Sequence, residues 1–186
     1  MRSIIYAFVD ILIMPKGKHE DMQYVLKHFY RVPVETIMKK DVWNLPIAYE
    51  DTPIEDIFAI MTARRHVWIM ERKGSMKLKG IITEKDLLEV MAPKRIKTYA
   101  IGGIDLRSLL FGNVMVARDI MVRKIIYCKP HDTIEEALDK MRAFRIRRLP
   151  VLDDDGNLLG EITIKTIIIQ FRKVLKWYRI TSKSEK

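Results

Sequence analysis

Two stretches of the chain carry apolar residues at the helical spacing of i, i+3, i+4 and i+7. This spacing predicts two amphipathic helices, whose buried faces are Ile54, Ile57, Phe58 and Met61 in the first and Ile134, Ala137, Leu138 and Met141 in the second. Each stretch follows a threonine with a glutamate three residues later, Thr52 with Glu55 and Thr133 with Glu136. In such a capping box the two side chains satisfy free backbone N–H groups, so both threonines are predicted helix N-caps.

Short apolar runs around these helices predict strands. They are Val42–Ile47, Val67–Met70 and Leu78–Ile82 around the first helix, and Ile125–Cys128, Leu149–Leu152 and Leu158–Thr163 around the second. A further helix is predicted to start at Thr83 and another at Thr163. The acidic run from Asp153 to Asn157 contains a glycine and predicts a hairpin turn between the last two strands.

The two halves of this pattern form an internal repeat with the order β-α-β-β-α. Matching residues stay 80 to 83 positions apart, from Met38 and Met121 to Gly80 and Gly160. The predicted fold class is α+β, with an α/β-like alternation, and the repeats span residues 34–91 and 116–175. One unit is too small to bury both faces of its sheet, so we expect the two copies to pack sheet to sheet with pseudo-two-fold symmetry.

Three segments lie outside the repeats: an N-terminal extension (1–33), a connector (92–115) and a tail (176–186). The extension includes His19–Tyr30, which is predicted to be an amphipathic helix that covers the repeats. The segment Phe171–Ile180 continues the last helix and alternates basic with apolar residues. A basic amphipathic segment of this kind suits a partner interface or an acidic surface.

Composition narrows the class of protein. The chain has 186 residues, of which 48% are hydrophobic, and a single cysteine. One cysteine excludes an intramolecular disulfide and cysteine-cluster zinc sites. No apolar run approaches the roughly 20 residues that cross a bilayer, so we expect no membrane association and a reduced, cytoplasmic protein.

The net charge of +10 is not spread evenly along the chain. The blocks 34–91 and 132–168 carry net charges of −1 and −2, whereas 92–131 and 169–186 carry +6 and +5. The positive excess therefore lies between and after the two nearly neutral blocks. The net charge of the whole chain is thus weak evidence for nucleic-acid binding.

The ordered motifs, given twice, resemble those of the cystathionine-β-synthase (CBS) domain pair, also called a Bateman module. The residues that carry the resemblance are 80–86 (GIITEKD), 147–153 (RRLPVLD) and the two Asp-Thr helix starts. Members of this family commonly bind AMP, ADP, ATP or S-adenosylmethionine in a cleft between the repeats. The resemblance therefore implies a regulatory adenosine ligand rather than a catalytic cofactor.

The resemblance assigns the ribose to Asp86 and places Thr83 near ribose or phosphate. An ionised carboxylate accepts hydrogen bonds from two adjacent hydroxyls, and a helix N-terminus favours an anion. The same two residues also have the spacing of an N-cap and its acid, so helix capping is the alternative reading.

The second repeat is expected to complete this site. The resemblance implies contacts to adenine from Ile125 and Ile126 and contacts to phosphate from Arg147 and Arg148. Pro150 and Lys165 are further candidate ligand residues. The alternative is that four arginines form a solvated basic helix end, since cations suit helix C-termini: Arg142, Arg145, Arg147 and Arg148.

The pseudo-symmetric second site departs from the family pattern. Thr163 is retained, but Thr166 stands where the family has its aspartate. His66 and Trp68 stand opposite, and Trp68 either stacks on a base or belongs to the core. We expect one competent site per chain and one degenerate or empty site.

Other chemistry finds no support in the sequence. A calcium loop at 153–157 is not supported, because no glycine follows Asn157 and Ile164 occupies the position of the bidentate acid. The histidines lack metal-ligand spacing. Cys128 falls in a predicted strand without a neighbouring base, so a buried thiol is favoured over a nucleophile. No enzyme motif is present.

The first hypothesis is therefore a non-enzymatic homodimeric module that binds adenine nucleotide or S-adenosylmethionine and acts on a regulated protein. A nucleic-acid binder that uses the basic connector and tail is the second hypothesis. A structural adaptor with vestigial sites is the third.

Overall fold

The computed structural model describes residues 22–91 and 114–181. Residues 1–21, 92–113 and 182–186 lie outside the described residues. The predictions made for His19, for most of the connector and for the end of the tail fall on those segments.

Six α-helices and five β-strands make up the described residues. The helices are α1 (Met22–Tyr30), α2 (Val34–Ile37), α3 (Ile54–Ala63), α4 (Glu84–Met91), α5 (Ile134–Ala143) and α6 (Ile164–Thr181). The strands are β1 (Ile47–Tyr49), β2 (His66–Met70), β3 (Leu78–Thr83), β4 (Arg148–Leu152) and β5 (Leu158–Thr163). Short 3₁₀ helices occupy Val42–Asn44 and Ala117–Asp119. The mixed helix and strand content confirms the predicted α+β class.

The described chain divides into two compact units. One contains residues 43–91 and 114–125, and the other contains residues 22–42 and 126–181. Each unit thus holds the sheet of one repeat together with the first residues of the other repeat, 116–125 in one unit and 34–42 in the other. The repeat boundaries at 34–91 and 116–175 stay a prediction.

The first unit contains a three-stranded sheet in the order β1-β2-β3. Strands β1 and β2 are parallel, and β2 and β3 are antiparallel. The outer edge of β3 is extended by Val122, which exchanges two backbone hydrogen bonds of 2.9 and 3.1 Å with Ile81. The core of this unit lies on one face of the sheet and includes Ile57, Val67 and Ile69, all 0% exposed.

The second unit repeats this arrangement around the antiparallel pair β4-β5. Cys128 forms a parallel bridge to Val151 on one side, and Lys39 exchanges two backbone hydrogen bonds of 2.9 and 3.1 Å with Glu161 on the other. The predicted amphipathic helix is present as α1, and its residues Val25 and Phe29 are buried in the core of this unit.

Two glycines allow the segments at Val122 and Lys39 to approach the edges of β3 and β5 closely. A Cβ atom at Gly160 would overlap the backbone carbonyl oxygen of Lys39, and a Cβ atom at Gly80 would lie 2.6 Å from the Sδ atom of Met121. Glycine is required where a backbone passes this closely. The matched positions of the two glycines in the repeat thus have a common structural cause.

Helix capping follows the sequence prediction in one repeat only. Thr133 caps α5: its hydroxyl accepts from the N–H of Glu136 at 3.2 Å, and the Glu136 carboxylate accepts from the N–H of Thr133 at 2.7 Å. The prediction for Thr52 is wrong, because its hydroxyl accepts from the N–H of Tyr49 at 2.8 Å and closes the preceding turn. Pro53 is the N-cap residue of α3.

The first predicted strand of each repeat is also wrong in extent. In the first repeat, Val42–Asn44 is a 3₁₀ helix, and only Ile47 of the predicted strand belongs to β1. In the second repeat, residues 125–127 have no regular structure and Cys128 pairs through a single bridge. An apolar run identifies a buried segment without fixing its backbone hydrogen bonds.

We predict that Gly160→Ala destabilises the protein more than Gly80→Ala does. At Gly160 the new methyl group meets a backbone carbonyl that is itself hydrogen-bonded to Glu161, so overpacking should cost about 1–3 kcal/mol. At Gly80 it meets a flexible methionine that can rotate away. Urea unfolding followed by circular dichroism measures both variants. Equal losses of stability would contradict the assignment.

Candidate functional site

Thr83 and Asp86 form a local hydrogen-bonded unit at the start of α4. Strand β3 ends at Thr83 and α4 begins at Glu84. The Oδ2 atom of Asp86 accepts from the backbone N–H of Thr83 at 2.7 Å and from its hydroxyl at 2.6 Å. The acid reaches back to the residue before the helix, as in half of a capping box. Capping by Asp86 is therefore a feature of the structure.

This cap leaves acceptor capacity on the same carboxylate. Both bonds use Oδ2, and no described residue donates a hydrogen bond to Oδ1 of Asp86. Asp86 is partly exposed, and it lies in the first turn of a helix. A carboxylate oxygen accepts up to two hydrogen bonds. Capping and the binding of a ligand hydroxyl by Asp86 are thus compatible.

The matching residues of the second repeat form a neutral version of this unit. The hydroxyls of Thr163 and Thr166 are 2.9 Å apart, and the N–H of Thr166 donates to the Thr163 hydroxyl at 3.1 Å. The local geometry survives the loss of the aspartate, but the charge does not. A hydroxyl at this position lacks the second oxygen that a two-hydroxyl ligand needs.

His66 and Trp68 are buried residues of β2. His66 lies opposite Thr83 in the register of β2 and β3, and the two side chains of His66 and Trp68 are 5% and 1% exposed. Their rings meet edge to face with centroids 5.1 Å apart. They alternate with the core residues Val67 and Ile69, so they occupy the opposite face of the sheet. A Trp68 side chain this buried is not available as an exposed stacking platform.

Ile125 and Ile126 are both partly exposed and have no regular backbone structure. Ile126 is followed by Tyr127 and Cys128, and the N–H of Cys128 donates to the carbonyl of Pro150 at 3.0 Å. Pro150 itself is buried within β4.

Arg148 is the first residue of β4 and is already engaged in an ion pair. Its Nη1 atom lies 3.6 Å from Oε2 of Glu161, and the two side chains are 28% and 5% exposed. Arg148 stands opposite Thr163 in the register of β4 and β5. A guanidinium in this position is held by a buried carboxylate and presents only part of its surface to solvent.

The other cations of this region are more exposed. Arg147 is exposed directly before β4, and Lys165 is exposed in the first turn of α6. Arg142 pairs with Asp139 at 2.9 Å, and Arg145 has a left-handed backbone with φ of 53°. Arg142 and Arg145 therefore lie at the C-terminal end of α5, as expected if they form a basic helix end.

Glu161 was absent from the sequence-based site, yet it is the buried carboxylate beside Arg148. Its side chain is 5% exposed within a strand whose neighbours are apolar. A signal was available, because the matching position of the first repeat is Ile81. A charged residue that replaces an apolar one at an internal strand position indicates a special local environment.

A groove of about 460 Å³ lies elsewhere on the second unit. It is lined by residues of α5 together with Tyr30 and Ile164. None of the ligand residues predicted from the sequence contributes to it. The groove is therefore separate from the candidate site.

Within residues 22–91 and 114–181, no three His, Cys, Asp or Glu side chains are grouped to hold a metal ion. The helices described there are too short or too polar to cross a membrane. Burial raises the pKa of the Cys128 thiol to about 12, so it stays protonated at neutral pH and is a poor nucleophile.

Comparison with known proteins identifies the repeats. The sequence model of the CBS domain matches residues 34–93 and 117–173. An uncharacterised protein of Methanocaldococcus jannaschii is 30% identical over 147 residues, which cover 69% of this chain and 88% of the relative. Inosine-5′-monophosphate dehydrogenase of Thermoplasma acidophilum is 31% identical over 134 residues, but this chain spans only 22% of that enzyme.

Solved structures share the fold. The CBS-pair protein CBSX2 of Arabidopsis thaliana, determined in complex with AMP, superposes with a TM-score of 0.62 over 76% of this chain and 97% of that chain, at 20% identity. The CBS domain pair of protein MJ0100, determined with 5-methylthioadenosine and S-adenosyl-L-methionine, superposes with a TM-score of 0.53 over 75% and 99%, at 23% identity. These likenesses confirm the tandem-repeat α+β fold.

We predict that Asp86→Ala destabilises the ligand-free protein by about 1 kcal/mol, because the N–H and the hydroxyl of Thr83 lose their common acceptor. Asp86→Asn keeps an acceptor oxygen and is the matched control, with a smaller loss expected. Urea unfolding in the absence of ligand measures both. An alanine variant as stable as the wild type would show that the cap contributes nothing.

Proposed function

Because the chain belongs to the CBS-domain family, we propose that it is a regulatory module that binds an adenosine-containing ligand. Two structures with this fold were determined with AMP or with S-adenosylmethionine and methylthioadenosine. The proposed role is regulatory rather than catalytic. The partial match to inosine-5′-monophosphate dehydrogenase supports this, since it covers only 22% of that enzyme.

The observation that carries this proposal is the arrangement of Thr83 and Asp86. The cap fixes the Asp86 carboxylate through Oδ2, while Oδ1 remains an acceptor for which no described residue competes. A ribose offers two adjacent hydroxyl donors that suit such a carboxylate. In this proposal Asp86 binds the ribose, and Thr83 contributes its position at the start of α4.

The second repeat is proposed to supply the remaining contacts. Ile125, Ile126 and Pro150 contact the adenine, and Arg147 and Lys165 contact the substituent at the ribose 5′ position. Arg148 belongs to the same set but is held by Glu161. One such site per chain is proposed, because Thr166 in the second repeat provides no carboxylate.

Regulation is proposed to act through a shift between two arrangements of the protein. A ligand can change such an equilibrium only by the difference between its affinities for the two states. In this proposal, the change of arrangement acts on a partner protein that the module regulates. We place the module in a reducing, cytoplasmic compartment, in keeping with a buried, unpaired Cys128.

We predict that adenosine compounds stabilise the wild type but not Asp86→Ala. A screen would include AMP, ADP, ATP, S-adenosylmethionine and oligonucleotides. A ligand at about 100 times its dissociation constant adds about 2.7 kcal/mol to the stability of the protein that binds it. Thermal unfolding measures the shift, and Asp86→Asn separates the lost charge from the lost cap.

Three outcomes of this screen are informative. A shift that depends on Asp86 supports the proposal. Stabilisation only by oligonucleotides, weakened by salt and indifferent to Asp86, would favour nucleic-acid binding through the basic segments. No shift with any compound would leave the structural adaptor as the better reading.

A homodimer is also proposed, on the basis of matched exposed apolar residues. Leu88 on α4 and Ile168 on α6 occupy the same position in the two repeats, 80 residues apart, and both are 57% exposed. Exposed apolar residues that recur on equivalent helices suit a self-association surface.

Light scattering coupled to size exclusion is expected to give twice the chain mass of 21.9 kDa. Ile168→Glu should shift the population towards monomer, because it places a charge in an apolar interface. Trp43→Glu is the control, since Trp43 is 89% exposed and lies on neither helix. A monomeric wild type would contradict the proposal.

A further inference from the structure

The helices α4 and α6 carry opposite charge around a matched apolar residue. Helix α4 directly follows β3, and α6 directly follows β5. Leu88 on α4 and Ile168 on α6 are both 57% exposed. Two copies of the chain that associate through these residues can pair α4 with α4, α6 with α6, or α4 with α6. The charges beside the two residues distinguish these three pairings.

Helix α6 presents only positive charge. The 18 residues from Ile164 to Thr181 include five basic residues and no acidic one. All five basic side chains are exposed: Lys165, Arg172, Lys173, Lys176 and Arg179. Within residues 22–91 and 114–181, no ion pair involves any of them. A contact between α6 and α6 of a second copy would therefore bring like charges together without an acid to compensate them.

Helix α4 is acidic. Glu84 and Glu89 are exposed, and Asp86 is partly exposed. Lys85 is the one basic residue between Glu84 and Met91, so three acids and one lysine give this helix a net charge of −2. A contact between α4 and α6 of a second copy joins opposite charges, whereas a contact between two α4 helices again joins like charges.

The charged neighbours of Leu88 and Ile168 also distinguish the direction in which the helices run. Side chains three or four positions apart share one face of a helix. The charged neighbours at these distances are Glu84 and Lys85 in α4, and Lys165 and Arg172 in α6. If Leu88 packs on Ile168 with the helices antiparallel, Glu84 meets Arg172. With parallel helices, Lys85 would meet Lys165, so the antiparallel direction is favoured.

We propose that α4 of one copy packs antiparallel against α6 of a second copy, with Leu88 against Ile168 and Glu84 paired with Arg172. The contact takes one helix from each copy. This inference rests on the proposed homodimer, and it adds which two surfaces form the interface.

Chemical cross-linking of two single-site variants of the full chain tests which helices meet. Leu88→Cys and Ile168→Cys are made separately, carry different tags, and are treated with a short bismaleimide alone and after equilibration as a mixture. The native Cys128 is 0% exposed and is retained. The expected product is a cross-linked dimer that contains both variants. Cross-linking within either variant alone, without the mixed product, would overturn the proposal.

Charge reversal tests the pairing of Glu84 with Arg172. In Arg172→Glu an ion pair becomes a like-charge pair, so the dimer dissociation constant should rise about fivefold at low salt. Glu84→Arg should have a similar effect, and the double variant of Glu84→Arg with Arg172→Glu should recover the wild-type value. Sedimentation velocity over a range of protein concentrations measures these constants.

Lys173→Glu is the matched control for Arg172→Glu. It makes the same change of charge one residue further along α6, at about 140° around the helix from Ile168, and should have little effect on dimerisation.

The remaining outcomes separate this inference from the proposed homodimer. A tighter dimer in Arg172→Glu would indicate relief of a contact between two α6 helices and would contradict the proposal. A double variant as weak as the single variants would contradict the pairing of Glu84 with Arg172. A wild type that stays monomeric would show that the homodimer itself is wrong, whereas a dimer that cross-links only between identical helices rejects this inference alone.

Discussion

Two reciprocal pairs of backbone hydrogen bonds, between Lys39 and Glu161 and between Val122 and Ile81, determine how this chain is organised. Each pair joins the outer edge of a sheet to a segment from the start of the other repeat. Unpaired strand edges are otherwise left with free N–H and C=O groups. Closing them in this way requires glycine at positions 80 and 160 and joins residues far apart in the sequence.

The candidate site follows one of these paired edges closely in sequence. Strand β3 runs from the bridge at Ile81 to Thr83, where α4 begins and Asp86 caps it. Strand β5 runs from the bridge at Glu161 to Thr163 in the same way. The two ends have matching backbones but different charges: one keeps an aspartate, and the other has a neutral threonine and a buried ion pair nearby. The ends of β3 and β5 thus match in backbone structure but differ in the chemistry of their side chains.

Sequence reasoning succeeded where the determining contacts are local. The cap of α5 by Thr133 involves residues three positions apart, and the spacing alone predicts it. The equivalent prediction at Thr52 failed because its hydroxyl serves the turn from Tyr49, a competing partner that the motif does not show. The pairing of Arg148 with Glu161 was missed because it depends on strand register. The identity of the repeats was accessible because it rests on ordered motifs rather than on any single contact.

The exchanged edge segments also determine which pieces of this chain are complete. A fragment cut within the connector would separate residues 34–42 from β5 and residues 116–125 from β3. Each half would then carry a strand with an unpaired edge. The glycine of that strand, Gly80 or Gly160, would have lost the segment that packs against it. Such edges promote intermolecular pairing. Duplication has therefore produced two repeats that are alike in sequence but not autonomous, and the whole pair is the smallest part of the chain in which the edges of β3 and β5 are both paired.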